Sequence, residues 1–564
     1  MKNKLKFDKL ISLILFTSCF PNFSTAKEDS ISDFVAKMSL EEKVGQLFIV
    51  GFPQQRLEQK LGQHIRKNKL SSFLLFKRNI ADLNQVRELN NSLFTLSKEI
   101  TGFPPVLAVD QEGGFVNRLP IKPSLPHAVS IGLSKSPALS LSLGEEVGKI
   151  LSSIGFNMNL APVLDLSNAA QRSFIGVRSY GSDPKLVGDI GSSYSLGLIK
   201  NKVIPTAKHF PGLGDSVDDP HNVTVKRMDS TKKLLENDLV PFKMFSALDG
   251  EKAIMLSHMI YPQLDETSQP ASFSKSIIQR WLRDEMGFNG VIITDDLHMK
   301  ASTDQNTVNQ AVIKALRAGV DMVMLSWSFS EQEKAVQQVL KAYKTADLSI
   351  EELNNKVIRI LKMKQFVSPE ISSTPILNAS TILSPEIKKI ESQLFFTKLA
   401  QIQDSLITDP KRSVCFYSTQ RQLLHGFKND YKFPYRVFHM NSNLTLASMA
   451  NSLKKNGCSV NFLSIYNRNQ AQLSISLPEA QRQSLVVLNM GSTAFIRDST
   501  NFLAKVHVLS MRDEIGSELA KFLNEINTSP REVPSPLGLA QSRDVEPQSS
   551  RHPGLRKPAS SRPQ

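Results

Sequence analysis

Residues 290–295 read GVIITD, a run of β-branched residues that begins at a glycine and ends on an aspartate. A short continuous apolar run of this kind predicts a strand buried on both faces, as in parallel sheets. The same pattern predicts seven further strands, each followed by enough chain for a crossover helix. They are QLFIVG (46–51), SSFLLF (71–76), PVLAVD (105–110), NMNLAP (157–162), VIPTAK (203–208), AIMLSH (253–258) and DMVMLS (321–326).

Amphipathic segments between these runs predict the crossover helices. Residues 82–96 and 276–286 repeat apolar side chains every three or four positions, and Ser39 with Glu42 forms a capping-box pair ahead of the first strand. Strand and helix alternating about eight times over roughly 330 residues predict an α/β fold, a (β/α)8 TIM-like barrel. A large doubly wound sheet is the alternative.

Polar side chains at the strand ends favour the barrel. The carboxyl ends of the predicted strands carry Asp110, Asp165, Lys208, His258 and Asp295. In (β/α)8 barrels these ends meet on one face and build the active site. A chance distribution of polar residues explains one or two such positions better than it explains five.

The rest of the chain divides by composition. We expect the catalytic barrel to span residues 27–366, followed by a linker rich in Pro, Ser and Thr at 367–390. A helix-like segment at 388–406 and the apolar runs SVCFYS (413–418), SLVVLNMG (484–491) and VHVLSM (506–511) predict a smaller C-terminal α/β sandwich domain over 391–528. Residues 529–564 lack apolar periodicity, so we expect a disordered tail.

The N-terminus resembles an export signal. Residues 1–26 contain a lysine-rich start, an apolar run and small residues before Lys27. The run is about half the roughly 20 residues needed to span a bilayer, which disfavours an uncleaved anchor. We therefore expect a periplasmic or extracellular protein; a lipoprotein anchored at Cys19 is the alternative. In an oxidising compartment Cys415 and Cys458 could pair, although the sequence alone does not decide this.

The charge balance excludes one class of partner. The chain has 68 basic and 53 acidic residues, a formal net charge of +15. It lacks the long Lys/Arg runs interleaved with aromatics that mark nucleic-acid binders. The surplus suggests an anionic neighbourhood such as a cell wall or membrane surface, and it leaves the oligomeric state open.

Several motifs together resemble a known family. LAVDQEGG (107–114), NLAPVLDL (159–166), AKHFPG (207–212), LSHMIYPQLD (256–265) and residues 270–299 look like the successive strand-end motifs of glycoside hydrolase family 3. They are most similar to its β-N-acetylglucosaminidase (β-N-acetylhexosaminidase) branch, in a two-domain form. The resemblance covers about residues 37–330, and the C-terminal domain resembles the family's second domain only loosely.

The resemblance implies Asp295 as the catalytic nucleophile. A retaining glycosidase uses such a carboxylate to attack the anomeric carbon and hold a covalent glycosyl intermediate. Without the resemblance, an aspartate here would more often cap the following helix.

The matching acid/base of this branch is a histidine paired with an aspartate, here His221 and Asp219. A histidine exchanges protons near neutral pH, and an aspartate on its other nitrogen fixes the tautomer. Pro220 biases Asp219 toward an extended conformation, in which residues two apart point the same way. The alternatives are a solvated turn and a metal site made of His209, Asp215, Asp219 and His221, whose spacing does not fit one helix face.

The family's sugar-binding positions match five charged residues of this chain. Charged groups at a barrel mouth make strong hydrogen bonds to sugar hydroxyls and the acetamido group. The matching residues are Asp110, Arg118, Arg178, Lys208 and His209. Three positions depart from the family: Phe115 replaces an arginine, Leu213 replaces a histidine, and Pro220 replaces a serine. These departures bear on substrate preference more than on the fold.

The sequence thus predicts a retaining exo-β-N-acetylglucosaminidase that removes terminal N-acetylglucosamine from peptidoglycan-derived glycans, such as muropeptides, without a metal or organic cofactor. A β-glucosidase or xylosidase of the same family would need a carboxylate acid/base. A glycoside phosphorylase would use phosphate, which a neutral histidine repels less than a carboxylate does. A non-catalytic cell-wall-binding protein is the alternative from another class.

Overall fold

The computed structural model describes residues 31–121, 125–167, 175–214, 216, 224–303 and 306–367 of the N-terminal part. In the C-terminal part it describes five strands and the single residues 451, 453, 458, 477 and 519. The predicted export segment and tail, nearly all of the linker, and the helix-like segment at 388–406 lie outside the described residues. No helix among the described residues is long and apolar enough to cross a membrane.

Eight parallel strands close into a barrel, and each overlaps one of the eight predicted runs. The strands in the runs at 203–208 and 290–295 continue past them, to Phe210 and Asp296. Every strand pairs with its neighbours in chain order, and the first pairs with the last through Phe48 and Val323. This closure excludes the doubly wound sheet. The strands β1–β8 are Phe48–Val50, Ser72–Leu75, Val106–Val109, Met158–Asn159, Ile204–Phe210, Ala253–Leu256, Val291–Asp296 and Met322–Leu325.

Helices surround the barrel, and their starts follow the capping pattern. Ser39 accepts from the Glu42 amide while the Glu42 carboxylate accepts from the Ser39 amide, which confirms the predicted capping box. The helix predicted at 82–96 runs further, to Thr101, and the one at 276–286 is a wide-turned π-helix. The α-helices are Ile31–Lys37, Leu40–Gln46, Gln59–Asn68, Leu83–Thr101, Ala128–Ser134, Pro137–Ser153, Pro184–Lys200, Thr231–Lys233, Leu239–Ser246, Lys300–Thr303, Val308–Ala318, Phe329–Lys344 and Ile350–Phe366; the π-helices are Leu234–Asp238 and Ser276–Glu285.

Buried charges lie at the amino-terminal ends of the strands. Just before β8, Asp321 pairs with Arg283 and Arg359. Lys364 donates to the Gln46 side chain at 2.8 Å and to Ser71, and burial lowers its pKa to about 7. Polar groups at this end of a barrel usually serve stability, because the reacting groups gather at the other end.

The C-terminal part contains a separate parallel sheet. Its strands β9–β13 are Val414–Ser418, Tyr435–His439, Val460–Ile465, Leu485–Asn489 and Ala504–His507, in the order β10-β9-β11-β12-β13. The runs at 413–418 and 484–491 are confirmed as strands, whereas the third predicted strand lies at 504–507, earlier than expected. Two further strands were missed because their apolar residues are interrupted by polar ones. A disulfide joins Cys415 in β9 to Cys458.

Candidate active site

The carboxyl ends of the barrel strands bring a compact group of charges together. Lys208, in β5, is buried, and its Nζ lies 2.8 Å from Asp110 Oδ1 and 2.7 Å from Glu112 Oε1. Arg178 donates to both oxygens of Glu112, each at 2.8 Å. Chain segments separated by up to 98 residues therefore meet in one ionic cluster over the barrel mouth.

Mutual charge stabilisation keeps this cluster ionised. Burial disfavours the ionised form of Glu112, but Arg178 and Lys208 outweigh it and hold the pKa of that carboxyl well below its usual range. Burial likewise lowers the pKa of Lys208, but Asp110 and Glu112 more than compensate, so its pKa is raised. Both groups are consequently charged throughout the pH range of enzyme action, which gives the site fixed donors and acceptors.

A short antiparallel hairpin, Gln111–Gly113 with Val116–Asn117, carries Arg118 to the same place. The Gln111 side-chain oxygen accepts from the amides of Arg118 and Leu119 at 3.1 and 3.2 Å. One Arg118 nitrogen lies 3.7 Å from Asp110, and its buried Nε has no hydrogen-bond partner among the residues that the structure describes. A buried guanidinium donor left open at a barrel mouth is available to a polar ligand.

His209 is held by a carboxylate from the segment that follows the neighbouring strand β4. Its Nδ1 lies 2.7 Å from Oδ2 of Asp165, which is fully buried. The other Asp165 oxygen accepts from the Leu213 amide at 2.7 Å. A carboxylate only accepts, so Nδ1 carries the proton of this hydrogen bond.

The end of β7 carries two adjacent carboxylates in different surroundings. Asp296 accepts from the Ser326 hydroxyl and from His298 Nδ1, the latter at 3.0 Å. Burial lowers the pKa of His298, but Asp296 and Glu331 outweigh it, so the pKa is raised. Asp295 is half-buried at the strand end and accepts from the Asp296 amide at 2.8 Å. Asp296 is therefore tied into the scaffold around β8, beside Asp295.

His258 completes this side of the mouth. It is buried; its Nδ1 lies 2.8 Å from the Ser272 hydroxyl and its Nε2 lies 3.3 Å from the Asp296 carbonyl oxygen. Burial lowers its pKa, although the charges of Asp295 and Asp296 act in the opposite direction. A neutral ring donates to the carbonyl and accepts from Ser272, which fixes the backbone at the end of β7.

The segment that carries the predicted acid/base pair begins after β5. Asp219 and His221 lie outside the described residues, as do Asp215 and Pro220, so their predicted roles stay predictions. Of the four residues in the alternative metal site, only His209 is described. Within the described part of the chain no three His, Cys, Asp or Glu side chains are grouped to hold a metal ion.

The two ends of this segment are bound to each other. Gly212 and Gly214 have φ angles of 117° and 57°, where L-residues are strained. Arg227 lies where the chain returns to the barrel. It donates to the Gly212 carbonyl at 2.8 Å and to both carboxylate oxygens of Asp238. The Tyr261 hydroxyl donates to the same carbonyl at 2.9 Å. These bonds fix where the segment leaves and rejoins the barrel.

A cavity of about 480 Å³ lies beside these segment ends. Leu166, Leu213, Arg227 and Met259 contribute to its lining, and among the described residues Asp110 and Lys208 do not. The cavity is thus open space on the loop side of the mouth, adjacent to the ends of β4, β5 and β6.

Two of the three positions that depart from the family pattern, Phe115 and Leu213, lie among the described residues. Phe115 is 42% exposed on the hairpin, and its ring meets the buried His127 edge-on with centroids 4.5 Å apart. Burial lowers the pKa of His127 to about 4. Leu213 is buried and packs into the core. Apolar contacts therefore replace the polar groups expected at both positions.

The sequence reasoning missed Glu112. It lies in the quoted DQEGG stretch, but the hairpin directs it to Lys208 and Arg178, which no local pattern indicates. Asp165 was recognised as a strand-end residue and not as the partner of His209. In both cases the missed information is the pairing, which depends on the closed barrel.

Replacing Glu112 with glutamine is expected to destabilise the protein by about 3 kcal/mol, near the lower end of the range for a broken buried ion pair. The loss is at the lower end because Lys208 still has its ion pair with Asp110. Since the pKa of Glu112 is lowered by folding, this contribution is complete above the normal carboxyl range and is lost as the pH falls below it. Urea unfolding of the full chain at pH 7 and at pH 4 measures both effects.

The matched control is Glu145→Gln, which breaks the surface pair with Lys200, whose side chain is 57% exposed. A surface pair contributes little, so this variant should unfold almost like the wild type. Equal losses in the two variants would show that Glu112 is not a buried counter-ion.

Comparison with known proteins gives a consistent result. The profile described as "Glycosyl hydrolase family 3 N terminal domain" matches residues 39–363. Beta-hexosaminidase A of Pseudoalteromonas piscicida is 28% identical over 370 residues; the match covers 62% of each chain, so this chain spans less than two thirds of that relative. Beta-hexosaminidase of Nitrosomonas eutropha is 31% identical over 331 residues, covering 54% of this chain and 90% of the relative.

Among solved structures, a glycoside hydrolase family 3 beta-N-acetylglucosaminidase from Paenibacillus sp. has a TM-score of 0.76 at 24% identity. The match covers 86% of this chain and 96% of that chain. At this identity the likeness concerns the fold, and it extends beyond the barrel into the C-terminal part.

Proposed function

The chain belongs to glycosyl hydrolase family 3, and from that premise we propose that it is a retaining exo-β-N-acetylglucosaminidase. It is a glycoside hydrolase, a β-N-acetylhexosaminidase, and its substrate is a carbohydrate. The finer proposal is that it releases terminal N-acetylglucosamine from peptidoglycan-derived or related glycans. The observation that carries it is the ionic cluster of Lys208, Asp110, Glu112 and Arg178 at the strand ends that also present Asp295.

The cluster suits the recognition of one terminal sugar. Its carboxylates can accept from sugar hydroxyls, and the Arg118 guanidinium lies beside Asp110 in the same cluster. Groups held rigidly by ion pairs lose little freedom when a ligand binds.

The proposed reaction proceeds in two steps. Asp295 attacks the anomeric carbon and forms an ester with the sugar, while His221 gives its proton to the departing oxygen. His221 then takes a proton from water, which displaces Asp295 and releases the sugar with its original β-configuration. Asp219 holds the His221 tautomer and stabilises its cation. No cofactor takes part in this scheme.

The test is a panel of 4-nitrophenyl β-glycosides of N-acetylglucosamine, glucose and xylose, assayed with and without phosphate. We expect turnover of the first alone, independent of phosphate, and a β-configured first product by NMR. Turnover of glucose or xylose compounds would favour the other glycosidases of the family. A sugar 1-phosphate product would identify a phosphorylase, and muropeptide binding without any turnover a non-catalytic protein.

Export is part of the same proposal. The N-terminal segment supports it, and so does the Cys415–Cys458 disulfide, since such bonds persist in oxidising compartments. Mass spectrometry of the mature N-terminus provides the test. A start at Lys27 supports soluble export, a lipid-modified Cys19 supports the lipoprotein alternative, and an intact Met1 contradicts both.

A further inference from the structure

Trp327 is an exposed aromatic side chain at the barrel mouth. It lies two residues after the end of β8 and is 54% exposed. The Arg78 guanidinium lies over its ring, 4.1 Å from the centroid, and 4.2 Å from the centroid of the Phe76 ring. Arg78 therefore lies between two aromatic rings, one of which remains largely open to solvent.

The ring is held in place although it is exposed. Arg78 donates to the Phe52 carbonyl at 3.1 Å and to the Ser326 carbonyl at 2.8 Å, so the guanidinium is fixed to the ends of β1 and β8. Cation–π contact with a fixed guanidinium limits the motion of the indole. A surface tryptophan needs no such support for stability alone, whereas a binding surface gains affinity from it.

Its position is next to the reacting carboxylates. Ser326, the residue before Trp327, donates to Asp296, which adjoins Asp295. The charges proposed to bind the terminal sugar lie at the end of β5, on the β6 side of Asp295, and at the end of β3, across the barrel from β7. A glycan that continues from the reacting bond toward β8 would meet Trp327.

We propose that Trp327 is a stacking platform for the sugar ring of the leaving group. One face of a pyranose presents C–H groups, which pack favourably on the electron-rich face of an indole. Arg78 covers one face of Trp327, and the exposed area leaves room for a sugar on the other. The inference rests on the proposed function, because it assigns the side on which the glycan continues.

The kinetic test compares two substrates with the same sugar and different leaving groups. N,N′-diacetylchitobiose has a pyranose as its leaving group, whereas N-acetyl-β-glucosaminyl fluoride releases only a fluoride ion. Trp327→Ala should lower kcat/KM for the disaccharide about tenfold and leave the fluoride within about twofold. Trp327→Phe should retain most of the disaccharide activity. Ile350→Ala, which removes an exposed side chain at the start of the helix Ile350–Phe366, should change the activity on neither substrate.

The outcomes separate the two proposals. Equal effects on both substrates, or none on the disaccharide, overturn the platform. If the wild type turns over neither substrate, the proposed function fails, and the platform is then decided by binding alone.

Binding is measurable by fluorescence because the chain has only two tryptophans, and the other, Trp281, is buried. In an Asp295→Asn background, chitobiose should protect Trp327 from quenching by acrylamide. In the same background with Trp327→Phe, all tryptophan fluorescence comes from Trp281, so chitobiose should not change the quenching. Unchanged quenching at saturating disaccharide would contradict the platform.

Discussion

Replacing Asp295 with alanine is expected to abolish hydrolysis of the N-acetylglucosaminide, with kcat falling by a factor on the order of 10⁴ or more. The reason is that the first step forms a covalent bond to this carboxylate, and an alanine side chain has no group that can form it. Asp296 cannot substitute for it, because the Ser326 hydroxyl and His298 hold that carboxylate away. Release of 4-nitrophenol measures the loss.

The matched control is Asp347→Ala, which removes an exposed carboxylate paired with Arg317. It should retain full activity. Covalent trapping gives an independent readout: a 5-fluoro analogue of N-acetylglucosaminyl fluoride should label the peptide that contains Asp295 in the wild type. A label on a different carboxylate, or an Asp295→Ala variant with substantial activity, would assign the nucleophile elsewhere.

Replacing His221 with alanine is expected to lower kcat/KM for chitobiose about 10³-fold, within the range for loss of a general acid. A sugar alkoxide is a poor leaving group and must be protonated as it departs, whereas fluoride and dinitrophenolate depart with little protonation. The loss should therefore be much smaller for the glycosyl fluoride and the 2,4-dinitrophenyl glycoside. Steady-state kinetics on the three substrates measures this difference.

Asp219→Asn is the companion variant. Removal of a negative charge beside His221 lowers the pKa of the imidazole, so the alkaline limb of kcat/KM should move to lower pH. Full activity of His221→Ala on chitobiose would contradict the histidine mechanism and favour a carboxylate acid/base, as in the β-glucosidase alternative.

The barrel was accessible from the sequence for a clear reason. Most of the barrel strands are short apolar runs, and buried parallel strands require such runs regardless of their neighbours. The two missed C-terminal strands, Tyr435–His439 and Val460–Ile465, carry polar residues between apolar ones. A search for continuous runs does not find them.

The candidate site was only partly accessible. Sequence motifs indicated Asp110, Arg178, Lys208 and Asp295, and the structure places the first three in one ionic cluster and Asp295 at the end of β7. The roles of Asp219 and His221 remain predictions, because that segment lies outside the described residues. Glu112 and the platform at Trp327 had no local signature.

The sequence by itself determined which residues end the strands, because hydrophobic runs and their polar ends are local properties of the chain. Only the tertiary structure decided which charges pair. Lys208 meets Asp110 across 98 residues because β3 and β5 are neighbours of β4 in a closed barrel. Arg78 and Trp327 meet because β1 joins β8 and β2. Ion pairs and ring contacts act over a few ångströms, so their partners exist only after the barrel closes.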